Sequence, residues 1–78
     1  MNIDVKDTIT LNDNNKYIVV SKIQYENNTY YLLGDEQNNG NIKFCLERQD
    51  NNSLIEIEDE KILQTLIPLF AQSAKDYF

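Results

Sequence analysis

Side-chain catalysis needs a nucleophile with a base beside it, or acids and bases held against one another. This chain is poor in both. It has no histidine and a single cysteine, Cys45. Ser21, Ser53 and Ser73 therefore have no imidazole to take their protons, which excludes a Ser-His-Asp triad. Cys45 lies between Lys43 and Glu47 in an alternating run. Lys43 would lower its pKa slightly, but a thiol without an imidazole reads as a packing residue. One cysteine allows no internal disulfide, and the lack of histidine excludes a Cys/His zinc site. Carboxylates are more plentiful. Glu56, Glu58, Asp59 and Glu60 form a cluster with some attraction for Ca²⁺ or Mg²⁺. The same four residues stand where a helical pattern begins, and acids there favour the helix macrodipole, which is the reading taken. Asn12–Asn15 and Asp50–Ser53 supply oxygens but lack the Gly and terminal Glu of an EF-hand loop. Gly34 and Gly40, the only glycines, cannot build a phosphate loop. The expectation is a protein that is not an enzyme, with no catalytic, cofactor-binding or metal-binding residue and no cofactor.

The elements that carry these residues must come from one small domain. A chain of 78 residues is near the size at which a single core leaves only about 3–5 kcal/mol of net stability. Thirteen acidic against seven basic residues give a net charge of −6. Such a field disfavours nucleic-acid phosphates and anionic lipid and suits basic partners. Tyr30, Tyr31 and Phe44 on strands lack the basic neighbours that nucleic-acid binding requires. No apolar run approaches membrane-spanning length, and no leader or lipidation signal is evident, so a cytoplasmic location is expected.

Ten of the eleven asparagines cluster at 12–15, 27–28, 38–41 and 51–52. Each cluster separates two apolar runs, as turn punctuation does. Residues 1–6 read as a loose start and residues 7–57 as a β-meander. Ile9 and Leu11 share a face of a first short strand. A second strand starts near Lys16, is apolar on both faces over Tyr17–Val20, and alternates from Ser21 to Tyr25. Either cover on both sides or a β-bulge would account for that change. Asn27-Asn28 reads as a two-residue hairpin turn, which places Ile23, Tyr25, Tyr30 and Leu32 on one face and Tyr31 on the other. Ile42, Phe44 and Leu46 mark a fourth strand, and Leu54–Ile57 a short fifth strand at the edge.

The period then changes. Ile62, Leu63, Leu66, Ile67, Phe70, Ala74 and Tyr77 recur at helical spacing, with Asp59 as N-cap and Lys75 near the end of a helical segment over 59–77. Pro68 removes a backbone donor and clashes with the Gln64 carbonyl, which predicts a kink, or a break at Ile67 with Pro68 opening a second helix. The fold class expected is α+β: an antiparallel meander of four to five strands with this helical layer packed on one face. Tyr25 and Tyr30 are then core residues. The opposite sheet face presents Ile18, Val20, Tyr31 and Leu33, which are the candidate interaction surface.

A family resemblance follows from the same residues. Ile9-x-Leu11-x-Asp13, then Tyr17-x-Val19-Val20-x-x-Ile23-x-Tyr25-Glu26-x-x-x-Tyr30-x-x-Leu33, resembles the small acidic YrzB-like proteins of Gram-positive bacteria, a domain family of unknown function. The strand at Ile42–Leu46 and the acidic turn into a helix at Glu56–Phe70 are similar too. The chain departs from that pattern at Asn27, Gly34 and Pro68. The resemblance implies no assigned activity. Two functions remain as expectations. One is a module that binds another protein or a second copy of the chain. The other is an acidic mimic of nucleic acid that occupies a nucleic-acid-binding protein.

Overall fold

Glu26 and Asn27 both adopt positive φ, 50° and 68°, and Tyr25 pairs directly with Asn28. That is a two-residue turn with both central residues left-handed, the type whose twist matches a hairpin. The turn therefore sits one residue earlier than Asn27-Asn28 suggests, and Ile23 faces Tyr30 instead of Leu32. The register moves by two in its pairing sum, an even step, so each side chain keeps its face. The computed structural model describes residues 3–37, 40–48 and 53–74. The expected turn residues Asn38, Asn39 and Asp50–Asn52, and the helical positions Lys75 and Tyr77, lie outside them.

Five strands form one antiparallel meander in chain order: β1 (Thr8–Thr10), β2 (Lys16–Tyr25), β3 (Asn28–Asp35), β4 (Ile42–Arg48) and β5 (Ser53–Glu56). The sheet curls into a half-barrel and one helix, α1 (Glu60–Ser73), follows it, so the chain is α+β. Alternation in β4 is as the pattern dictates: Cys45 turns to one face, Phe44 and Leu46 to the other.

The apolar stretch Tyr17–Val20 resolves as a bulge and as cover on both faces. Val19 pairs with Leu33 and Ser21 with Leu32, which leaves Val20 as the extra residue. Before the bulge, Tyr17 and Val19 point into a core with Tyr31, Leu33 and Cys45. Beyond it the strand has changed phase. Val20 and Ile23 now pack with Tyr30, Leu32 and the helix. Ile9, Leu11 and Leu54, from or beside the first and last strands, meet on the Tyr17 side, so that side is the inside of the curl.

Within the expected loose start, residues 3–6 are held in place. Ile3 is buried in the inner core. The Lys6 N–H donates to the Val19 carbonyl at 2.8 Å and the Val19 N–H to the Asp7 carbonyl at 2.9 Å. Lys22 Nζ reaches the Ile3 carbonyl at 3.0 Å. Two successive residues thus share one partner, with Lys6 at φ 78°, the geometry of a bulge whose first residue is left-handed.

Asp59 caps α1 as its sequence position suggests, its carboxylate accepting from the Lys61 N–H at 2.8 Å. The helix lays Leu66, Phe70 and Ala74 on the outer sheet face, with Phe44 and Phe70 rings 5.5 Å apart. It runs unbroken through Pro68 to Ser73, so the expected break at Ile67 does not occur. Pro68 and Gln64 both lie on the exposed side, where water can serve the carbonyl that proline leaves without a donor.

Candidate functional site

The four residues expected to form one interaction face do not share one. Tyr31 and Leu33 are 0 % exposed inside the half-barrel, whereas Val20 packs toward the helix and Ile18, 38 % exposed, shares that outer side. The bulge is the cause, because it puts the Tyr17–Val19 segment out of phase with the rest of β2. Among the described residues, Ile3, Ile9 and Leu11 pack over the sheet face opposite the helix. Tyr25 is a second correction. It is 36 % exposed at the hairpin tip, where it borders a shallow groove with Ile62, while Tyr30 is buried as expected.

What the fold opens instead is a cleft between β1 and the β4–β5 end of the half-barrel, with a volume of about 430 Å³. Ile3, Ile9, Leu11 and Leu54 line it with apolar surface, and Asp13, Lys43 and Glu56 give it a charged rim. A volume of this order with apolar walls and a few converging polar groups is the usual form of a binding site. The rim is built from turn and strand positions. Asp13 comes from the β1–β2 turn, where Asn14 at φ 64° reverses the chain and the Asn15 N–H holds Asp13 Oδ1 at 3.0 Å. The Tyr17 hydroxyl donates to Asp13 Oδ2 at 2.7 Å. Lys43 Nζ donates to Glu56 Oε1 at 2.8 Å, lies 3.7 Å from Asp13 Oδ2, and stands 5.9 Å from the Tyr17 ring centre.

These contacts set the charges. The hydrogen bond from Tyr17, then that from the Asn15 backbone, holds the Asp13 carboxyl below the ordinary aspartate value. Burial, then the Asp13 contact, raises the Tyr17 phenol. Glu56 raises Lys43, so Lys43 stays an ammonium and is no nucleophile at neutral pH. Cys45 forms part of the cleft wall, but burial pushes its thiol up to about 11, with Glu56 across the ladder adding to the shift. It is therefore a protonated packing group under ordinary conditions.

A second tyrosine repeats the arrangement further inside. The Tyr31 hydroxyl donates to Glu47 Oε1 at 2.8 Å, and Lys22 stands 5.9 Å from its ring centre while reaching Asp4 at 3.7 Å. Both phenols thus bring a buried ring to the sheet and place its polar end on a carboxylate. The chain matches no family model, no curated protein and no solved structure.

The acidic cluster at the strand–helix junction is divided among separate tasks. Glu56 holds Lys43, and Asp59 caps α1. Among the described residues no group of three or more Asp, Glu, Cys or His side chains is placed to hold a metal ion. Cations also stand among the carboxylates, Lys43 between Asp13 and Glu56 and Lys22 on Asp4. No helix of the described residues is long and apolar enough to cross a membrane. Asp13 and Tyr17 entered the sequence reading as positions of the family resemblance and Lys43 as a neighbour of Cys45, none of them as a site residue. Asp13 reads as turn punctuation and Lys43 as the polar partner in an alternating strand. Only the curl of the sheet brings residues thirty positions apart together.

Proposed function

We propose that this protein is a small protein–protein interaction module without catalytic activity, and that the cleft between β1 and β5 is its contact surface. The observation that carries the reading is the cleft itself: apolar walls of Ile3, Ile9, Leu11 and Leu54 beneath a rim of Asp13, Lys43 and Glu56. Apolar surface ringed by polar groups is the common form of an interaction site. The chemistry of the wall supports a binding role over a catalytic one, since its thiol and its ammonium are both held in their protonated forms. A cytoplasmic location belongs to the proposal and accords with a single free thiol. The resemblance to YrzB-like proteins also stays a proposal. The residues that carry it, among them Tyr17, Val19, Tyr30 and Leu33, are buried packing residues, so it speaks to architecture.

The test is affinity purification from the native cell with the intact chain and with Ile9→Arg, followed by mass spectrometry. A protein recovered with the intact chain and lost with the variant is the expected result. No specific partner, or the same partner with both chains, would overturn the reading. Circular dichroism of the variant guards against simple unfolding.

A further inference from the structure

The backbone beside the cleft specifies what the cleft can take. In an antiparallel ladder, successive residues alternately turn their N–H and C=O groups toward the neighbouring strand and away from it. The Ile57 N–H donates to the Phe44 carbonyl at 2.8 Å, in the same register that pairs Leu46 with Ile55 and Cys45 with Glu56. Ile55 and Ile57 therefore direct their backbone groups at β4, and those of Leu54 and Glu56 point out of the sheet. β5 is the last strand of the order, and no described strand pairs with its outer edge. The side chains of the same two residues, Leu54 and Glu56, line the cleft.

We propose that the outer edge of β5 takes an extended segment of a partner protein as a sixth, antiparallel strand, with an apolar side chain opposite Leu54 and a basic one, two residues before it in the partner's sequence, opposite Glu56. The spacing follows from the pleat, which turns residues i and i+2 of an added strand to the same face. Strand addition draws affinity from main-chain bonds and specificity from pockets for alternate side chains. The cleft supplies such a pocket in Ile9, Leu11 and Leu54. The charge follows from the rim, where two carboxylates, Asp13 and Glu56, face a single ammonium, Lys43. A second copy of the chain fits poorly. In the same antiparallel direction its own sequence carries Asn52 two residues before the apolar Leu54, and so offers no cation to Glu56.

This inference rests on the interaction reading above, and its test separates the two. The probe is the peptide acetyl-Thr-Thr-Lys-Thr-Val-Thr-Thr-amide, titrated into the full ¹⁵N-labelled chain. One control peptide carries Glu in place of Lys, and another carries Val and Lys side by side. The expected result is slowed hydrogen exchange at the Leu54 and Glu56 amides, and binding about tenfold tighter than either control. Glu56→Gln should remove the preference for Lys over Glu. Equal binding of the Lys and Glu peptides, or no binding at millimolar peptide, overturns the proposal. So does a chain that sediments as a dimer with those two amides already protected, because a second copy then holds the edge. A partner captured through the cleft by a chain that ignores every peptide sinks strand addition alone. Peptide binding without any captured partner sinks the interaction reading instead.

Discussion

Ser21 of β2 and Ser73 at the end of α1 share a hydrogen bond between their hydroxyls across 52 positions of sequence. Ser73 Oγ also lies 3.3 Å from the Phe70 carbonyl, to which it can donate, and either hydroxyl can be the donor between the two serines. Ser21 reaches the helix only because the bulge at Val20 changes the phase of the strand. The bond thus joins the irregular point of the sheet to the end of the helix. Ser21→Ala should cost about 1 kcal/mol, the net worth of one hydrogen bond whose remaining hydroxyl keeps another partner. Deleting Val20 should remove the whole of a margin of roughly 3–5 kcal/mol, because Tyr17 and Val19 would turn to the wrong face. Urea unfolding followed by tyrosine fluorescence measures both. Similar costs for the two changes would refute the role given to the bulge.

Tyr17 and Asp13 make a prediction about acid. The Asp13 carboxyl is held below its ordinary value chiefly by the Tyr17 hydroxyl. A depressed carboxyl contributes stability above its unfolded pKa and loses it as the pH falls through the folded one. Tyr17→Phe should therefore lower the urea midpoint at pH 7, and the gap between the two proteins should close as the pH drops below the ordinary aspartate range. A gap of constant size down to pH 2 would mean that the variant differs in packing and not in this bond.

How much of this could be read in advance depends on what each feature rests on. Strand faces follow from a period of two, so Ile9 with Leu11 and Phe44 with Leu46 were legible. The Asp59 cap and the Leu66–Phe70 stripe follow from local chemistry and were legible as well. The bulge was visible as an anomaly at Tyr17–Val20, but its resolution depends on partners far away in sequence. Glu26 gives no sign that it will take a left-handed turn position, since Asn27 and Asn28 carry the stronger propensity. Ile3 is one apolar residue with no repeat around it, and its burial comes from the docking of the Asp4–Asp7 backbone beside β2. The cleft was not legible, because it arises from the curl that brings Asp13 to Lys43.

Cys45 predicts the alkaline side. Its folded pKa of about 11 lies above an unfolded thiol value of about 8.5. Its contribution is therefore complete below that lower value and is lost as the pH rises through the higher one. Tyr17 and Tyr31 are also raised, mainly by burial, and act in the same direction at higher pH. The urea midpoint should fall steadily from about pH 8.5 upward, and Cys45→Ala should flatten the first part of that fall. Ellman's reagent should label the native thiol only as fast as the chain opens. Immediate labelling at pH 7.5 would show that the cleft admits the reagent to the sulfur, contrary to its 1 % exposure.

Pro68 gives a prediction in the stabilising direction. A proline inside a helix costs about 3 kcal/mol relative to alanine, yet α1 continues through it. Two features explain that continuity. Leu66 and Phe70, on either side of Pro68, are both 0 % exposed against the sheet, and a break between them would pull one away. Gln64, whose carbonyl loses its donor, faces solvent. Packing therefore holds the helix together against its own sequence. Pro68→Ala should raise stability by about 1–3 kcal/mol, which at about 4–8 °C per kcal/mol for a domain of this size is readily seen in a thermal melt. The reverse experiment uses the same logic. Phe70→Ala removes one of the two anchors at a cost of about 3–5 kcal/mol, so this background is melted in an osmolyte such as TMAO that keeps it folded. There the gain from Pro68→Ala should shrink, because a helix freed of that anchor can break at Pro68 and escape the penalty that packing imposed. Equal gains in both backgrounds would show that the helix does not depend on its anchors to cross the proline.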